Sequence, residues 1–121
     1  MENLPIGIAE LDSLSKLSLY KNQLTILPDD IFEIPNLKVI DLYYNQLQVI
    51  PSSIGRANNI AILYLAHNNI YDLPEQLGEL ENLEELYVHN NRLSGLPGSL
   101  EKLNRLRVLR INDNHFNYFP R

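Results

Sequence analysis

Cysteine is absent from all 121 residues, which excludes disulfides, thiolate zinc sites and a cysteine nucleophile. No apolar run approaches the roughly 20 residues that a membrane-spanning helix needs. Met1–Asp12 carries acids and lacks a basic start before an apolar stretch, so it does not read as a secretory signal. Fifteen asparagines occur without one Asn-x-Ser/Thr sequon, which agrees with a protein that is not secreted and points to the cytoplasm. Basic residues are few, ten against fifteen acids for a net charge of −5, which argues against nucleic acid as a partner. Gly-x-Ser-x-Gly, Walker and dinucleotide fingerprints are missing, as is any His-x-x-x-His pair. The familiar routes to hydrolysis, nucleotide chemistry and metal binding are therefore not written here, and no cofactor is expected.

What is present repeats. Leu-x-x-Leu-x-Leu-x-x-Asn-x-Leu-x-x-Leu-Pro runs over Leu14–Pro28 and recurs, with conservative swaps, over Leu37–Pro51, Ile60–Pro74, Leu83–Pro97 and Leu106–Pro120. The period is 23 residues throughout. Fixed self-similarity of this length predicts a solenoid, in which each copy buries its apolar face only against its neighbours. With 45% hydrophobic and 21% charged residues, the composition is that of a folded chain and not of a disordered one.

The Leu-x-Leu centre alternates apolar and exposed positions, the period of a half-buried strand. Five copies then predict one parallel sheet. Leu17, Ile40, Leu63, Leu86 and Leu109 form one internal column, and Leu19, Leu42, Leu65, Val88 and Ile111 a second. After each strand the chain turns, leaving backbone groups without ladder partners. Asn22, Asn45, Asn68, Asn91 and Asn114 recur at that turn, and an amide that donates and accepts can tie neighbouring coils together. They are structural residues and not an active-site row. Beyond them, Leu-Pro followed by apolar residues at i and i+3 predicts one turn of 3₁₀ or α-helix on the outer face.

These residues resemble the leucine-rich repeat superfamily, in the 23-residue form of the intracellular Ras-suppressor-like group and of many bacterial members. The resemblance implies an α/β fold: a right-handed coil with a five-stranded parallel sheet on its concave face and short helical turns on its convex face. It implies a single domain over 1–121, with a half-repeat at 1–13 and repeats starting at 14, 37, 60, 83 and 106. It also implies protein recognition on the concave side, and not enzymatic activity. Leu4-Pro5-x-x-Ile8-x-x-Leu11 matches the second half of a repeat, so the chain reads either as a minimal protein or as a piece of a longer one. The alternatives are a recognition domain cut from a larger enzyme, such as a bacterial effector ubiquitin ligase or a receptor-like kinase, and a self-assembling repeat protein. An effector would be delivered into a host cell. Uncapped ends favour weak self-association, although Phe116 and Phe119, where other repeats have leucine, have rings that cover a core end.

Period-2 geometry sends the residues flanking the strand leucines to the concave surface. Five of the seven tyrosines fall there, Tyr20, Tyr43, Tyr44, Tyr64 and Tyr87, with His67 and His89 beside them and Val39 at the margin. Tyr offers a large amphipathic area at low entropy cost, so these eight residues are the candidate partner-binding set. The competing reading is that aromatic residues suit strands and stabilise them by cross-strand pairing. Register predicts contact between Tyr64 and Tyr87 and between Tyr20 and Tyr43. Exposed histidines predict pH sensitivity near their ordinary pKa of about 6.5. Charge is uneven too: six acids and no base over Asp72–Glu85, six bases and two acids over Arg92–Arg121. Both blocks suit solvated faces, or a charge-steered partner.

Overall fold

The computed structural model describes residues 14–116; the half-repeat expected over 1–13 and Phe119 lie outside them. Each Leu-x-Leu centre forms a three-residue strand: β1 (Lys16–Ser18), β2 (Val39–Asp41), β3 (Ile62–Tyr64), β4 (Glu85–Tyr87) and β5 (Val108–Arg110). The five pair in chain order as one parallel sheet. Leu17 faces Ile40, Ile40 faces Leu63, Leu63 faces Leu86 and Leu86 faces Leu109. The sequence period is thus the sheet register.

The convex side is built from four short turns, Asp29–Glu33, Ser52–Arg56, Glu75–Glu79 and Gly98–Lys102. Each follows a proline in extended geometry, with φ between −64° and −75°. The amide three residues on donates back to that proline's carbonyl, as Ile54 does to Pro51 and Leu77 to Pro74, both at 3.1 Å. These are 3₁₀ bonds. Among the described residues there is no α-helix, so the helical part of the expected α/β class exists only as 3₁₀ turns. Five residues between an entering proline and the next strand's approach leave no room for an i→i+4 ladder to propagate. Neighbouring turns lie close: a Cβ on Gly78 would come within 2.5 Å of the Ser99 carbonyl oxygen.

Between sheet and outer turns runs one continuous apolar core. Ile40, Leu42, Leu47, Ile54, Ile60, Leu65, Ile70, Leu77 and Leu86 are fully buried. Burying one such side chain is worth about 1.5–3 kcal/mol relative to exposure. Phe32 joins this core from the convex side, a position the leucine pattern does not mark. The columns weaken at the described ends. Leu17 is half-buried and Leu109 is 39% exposed, so Leu109 is not the internal residue its column predicts. It sits on β5, the outermost described strand, with a neighbouring coil on one side.

The asparagines complete each coil. Asn68 donates through Nδ2 to the Leu42 carbonyl of the preceding coil at 2.9 Å. It also donates to its own Leu65 and Ala66 carbonyls at 3.1 and 3.2 Å. Its Oδ1 accepts the Leu47 N–H of the preceding coil at 3.0 Å. Asn45, Asn91 and Asn114 repeat this pattern, and Asn22 bonds its own Leu19 carbonyl at 2.9 Å. A second, exposed ladder runs before the strands. Asn59 donates to the Pro35 carbonyl and Asn82 to the Asn58 carbonyl, at 2.8 and 2.7 Å, while Arg105 donates to the Asn82 Oδ1 at 2.8 Å. The 23-residue spacing of Asn59, Asn82 and Arg105 was the available signal.

The chain leaves each strand through a left-handed residue. Lys21, Tyr44, His67, Asn90 and Asp113 have φ between 55° and 60°. Residues bearing a Cβ avoid this region at about 1–2 kcal/mol each. They adopt it because the chain must turn into the core while its amides still pair. The Tyr44 N–H donates to the Ala66 carbonyl and the His67 N–H to the His89 carbonyl, at 3.3 and 3.1 Å.

Replacing Asn68 by leucine leaves the Leu47 amide and three carbonyls without this partner in the middle of the stack. Urea unfolding should show a loss of roughly 2–3 kcal/mol. Asn114→Leu, at the half-exposed end, should lose less. A loss below about 0.5 kcal/mol for Asn68→Leu would refute the ladder's role.

Candidate functional site

Side chains flanking each inward leucine point to the concave surface, and the register sets their order across the sheet. Ser18, Asp41, Tyr64, Tyr87 and Arg110 face one another strand by strand. The residues two places further on, Tyr20, Tyr43, Ala66, His89 and Asn112, form the adjoining column. The left-handed residues Lys21, Tyr44, His67, Asn90 and Asp113 form the third.

Seven of the eight candidate residues meet as one ring cluster. Tyr64 stacks on Tyr87 with centroids 5.0 Å apart and planes 13° apart. Tyr44 stacks on His67 at 4.3 Å and 10°; the left-handed turn at both residues presents the two rings side by side. Tyr43 joins the two stacks, 5.0 Å from Tyr64 and 6.3 Å from Tyr44. Tyr20 packs edge-on against Tyr44 at 5.6 Å, so the ring it touches is not Tyr43. Shifting Tyr44 out of the strand column brings it nearer to Tyr20 than register alone predicts. Val39 stands apart, half-buried and paired with Ile62.

Ala66 is the residue that composition does not reveal. It occupies the column between Tyr43 and His89 and is completely buried. A side chain of one carbon lets those two rings approach to 6.0 Å from coils that are not neighbours. They close over it.

The same closure changes His89. It is 6% exposed, not a free concave side chain. Its ring lies 5.6 Å from His67 and 6.4 Å from Tyr87, and its Nδ1 is buried without a hydrogen-bond partner. Burial first, then the charges of Arg110 and His67, push its pKa below the ordinary value, with Asp113 opposing. The neutral form of His89 is therefore favoured over that of a free concave histidine. Tyr43 is pushed up to about 12, by burial and then by Tyr64 and Tyr87. Tyr87 is also raised, chiefly because its hydroxyl donates to the Glu85 Oε1 at 2.7 Å. Arg107 holds the other Glu85 oxygen at 2.7 Å. Both phenols stay protonated as donors.

Among the described residues no three His, Asp, Glu or Cys side chains group to hold a metal. Ser18 faces Asp41 at 3.5 Å, with a carboxylate and no imidazole beside it. Among the described residues no helix is long and apolar enough to cross a membrane. A second exposed apolar set, Ile26, Val49 and Tyr71, lies beyond the asparagine turn.

Residues 2–118 match the family model described as a leucine-rich repeat region. No curated protein matches the chain. Among solved structures, a leucine-rich repeat protein of Leptospira interrogans is similar over 97% of this chain and 30% of its own, at 33% identity and a TM-score of 0.93. PEPR1, solved with AtPEP1, is similar over 93% of this chain and 16% of its own, at 38% identity and a TM-score of 0.84. The plant peptide hormone receptor RGFR1, in complex with RGF2, covers 93% and 19% at 30% identity and 0.84. The chain spans less than a third of each.

Folding favours the neutral form of His89, so its contribution to stability is intact above the unfolded pKa of about 6.5. It is lost as pH falls through that value toward the lower folded one. Thermal unfolding should show the wild type losing more stability than His89→Phe between about pH 7 and pH 5. Equal losses would mean that His89 is not the titrating group.

Proposed function

The chain belongs to the leucine-rich repeat family, and from that premise we propose that it binds a partner protein or peptide through its concave ring cluster. One observation carries this reading: Tyr20, Tyr43, Tyr44, Tyr64, Tyr87 and His67 form an unbroken aromatic surface across β1–β4. Tyr20 and Tyr44 are 50% and 45% exposed, and the others of this set are half-buried. Amphipathic rings locked by their neighbours lose little entropy when a partner covers them. Mutual packing thus supports recognition as well as stability, and the two readings of the tyrosines coexist. The fold generally mediates protein or ligand recognition, and its members are mainly binding modules without catalysis. The similarity to the plant peptide hormone receptor RGFR1, solved in complex with RGF2, supports the same use of this one.

A second reading follows from length. The chain spans 30% of the Leptospira protein and less of PEPR1 and RGFR1. A recognition segment within a longer protein, with any other activity elsewhere, uses this same surface.

The test is peptide display on the immobilised protein, followed by affinity measurements on the selected ligands. Tyr64→Ala and Tyr87→Ala should each weaken binding by about 2 kcal/mol, near thirty-fold. Glu79→Ala, on the convex side, should change it by less than about two-fold. Weakening by the convex variant alone would overturn the concave assignment.

A further inference from the structure

The charged side chains of the concave face differ in one respect: its acids are occupied and its flanking bases are not. Asp41 accepts the Tyr43 N–H at 3.2 Å and faces the Ser18 hydroxyl. Glu85 is held by Tyr87 and Arg107, both at 2.7 Å, and its side chain is only 15% exposed. Asp113 accepts from the Asn112 amide at 2.9 Å. By contrast, the side chains of Lys16, Lys21 and Arg110 make no hydrogen bond or ion pair among the described residues. Lys16 opens β1 and Lys21 lies just beyond it, whereas Arg110 ends β5. Unpaired positive charge therefore stands at both margins of the ring cluster.

The rings reinforce this preference. Tyr64 with Tyr87, and Tyr44 with His67, turn ring faces toward one another. Each stack covers one face of each of its rings, and Glu85 takes the Tyr87 hydroxyl, so ring edges and the other hydroxyls are what these pairs chiefly offer a partner. A cation needs a ring face, while the edge is the positive end of the aromatic quadrupole and the hydroxyl is a donor. The surface is better matched to acceptors than to cations.

Resting on the recognition reading above, we propose that the bound partner is an acidic extended protein segment crossing the strands. One carboxylate meets Arg110, another meets Lys16 or Lys21, and an apolar side chain between them lies on the rings. Four strand spacings separate β1 from β5, about 19 Å. An extended chain rises about 3.3 Å per residue, so the two acids stand about six residues apart.

Fluorescence anisotropy with two labelled, end-blocked peptides tests this. One carries glutamates about six residues apart with leucine midway, and its twin carries lysines in their place. The glutamate peptide should bind about ten-fold more tightly or better, with affinity falling as salt rises. Arg110→Gln, a change at an exposed unpaired side chain, should weaken the glutamate peptide several-fold and should not weaken the twin. Equal affinities, preference for the lysine twin, or no binding of either overturns the proposal. So does displacement of the glutamate peptide by an equal concentration of single-stranded oligonucleotide, which would make the anion a phosphate. If the charge preference fails while Tyr64→Ala still weakens the peptide that binds, the acidic assignment alone falls. If Tyr64→Ala has no effect on either peptide, the concave reading falls with it.

Discussion

Everything in this molecule depends on how a coil closes after its strand. The backbone leaves the parallel ladder, turns through a left-handed residue and heads into an apolar interior, where unpaired amides cost about 1–3 kcal/mol each. The asparagine that follows answers that need with one amide group, donating to carbonyls of its own strand end and of the preceding coil and accepting an N–H from the preceding coil. Because each amide spans two coils, closure of one repeat fixes the position of the next. The leucine columns, the sheet register and the stacking of the outer turns all inherit this constraint. Its footprint on the convex side is Gly78, where the coils leave no space for a side chain against Ser99.

The aromatic face is a consequence of the same turn. A left-handed residue after the strand displaces the Tyr44 and His67 rings out of the strand column, so that they stack on each other beside Tyr43. Ala66 then allows Tyr43 and His89 to meet across an intervening coil. The result is a set of rings that support one another instead of standing as independent side chains. Such a surface is rigid before any partner arrives, the condition under which covered aromatic area is converted to affinity with least entropic loss.

Electrostatics sharpens this surface. Carboxylates on the concave side are drawn into local bonds with Arg107, Tyr87, Asn112 and a backbone amide, while bases at the margins remain available. The net charge of −5 therefore says little about the face that matters. The acids that dominate the total include Asp29, Asp30, Glu33, Glu75, Glu79 and Glu101, which lie on the convex turns.

Much of the architecture was legible in the sequence, because a repeat's period states which residues share a column, and a parallel sheet in register turns columns into contacts. The five strands, the asparagine ladder, the proline-led outer turns and the Tyr64–Tyr87 stack follow from that rule alone. What the spacing does not encode is what neighbouring columns do to each other. The partner of Tyr20, the burial of His89 and its depressed pKa depend on a left-handed φ at Tyr44 and a single-carbon side chain at Ala66. The exposure of Leu109 depends on which coil lies outermost. Composition places seven rings on one face; only the packed structure decides which of them a partner can touch, because burial is a property of neighbours two coils away and not of the repeat that carries the residue.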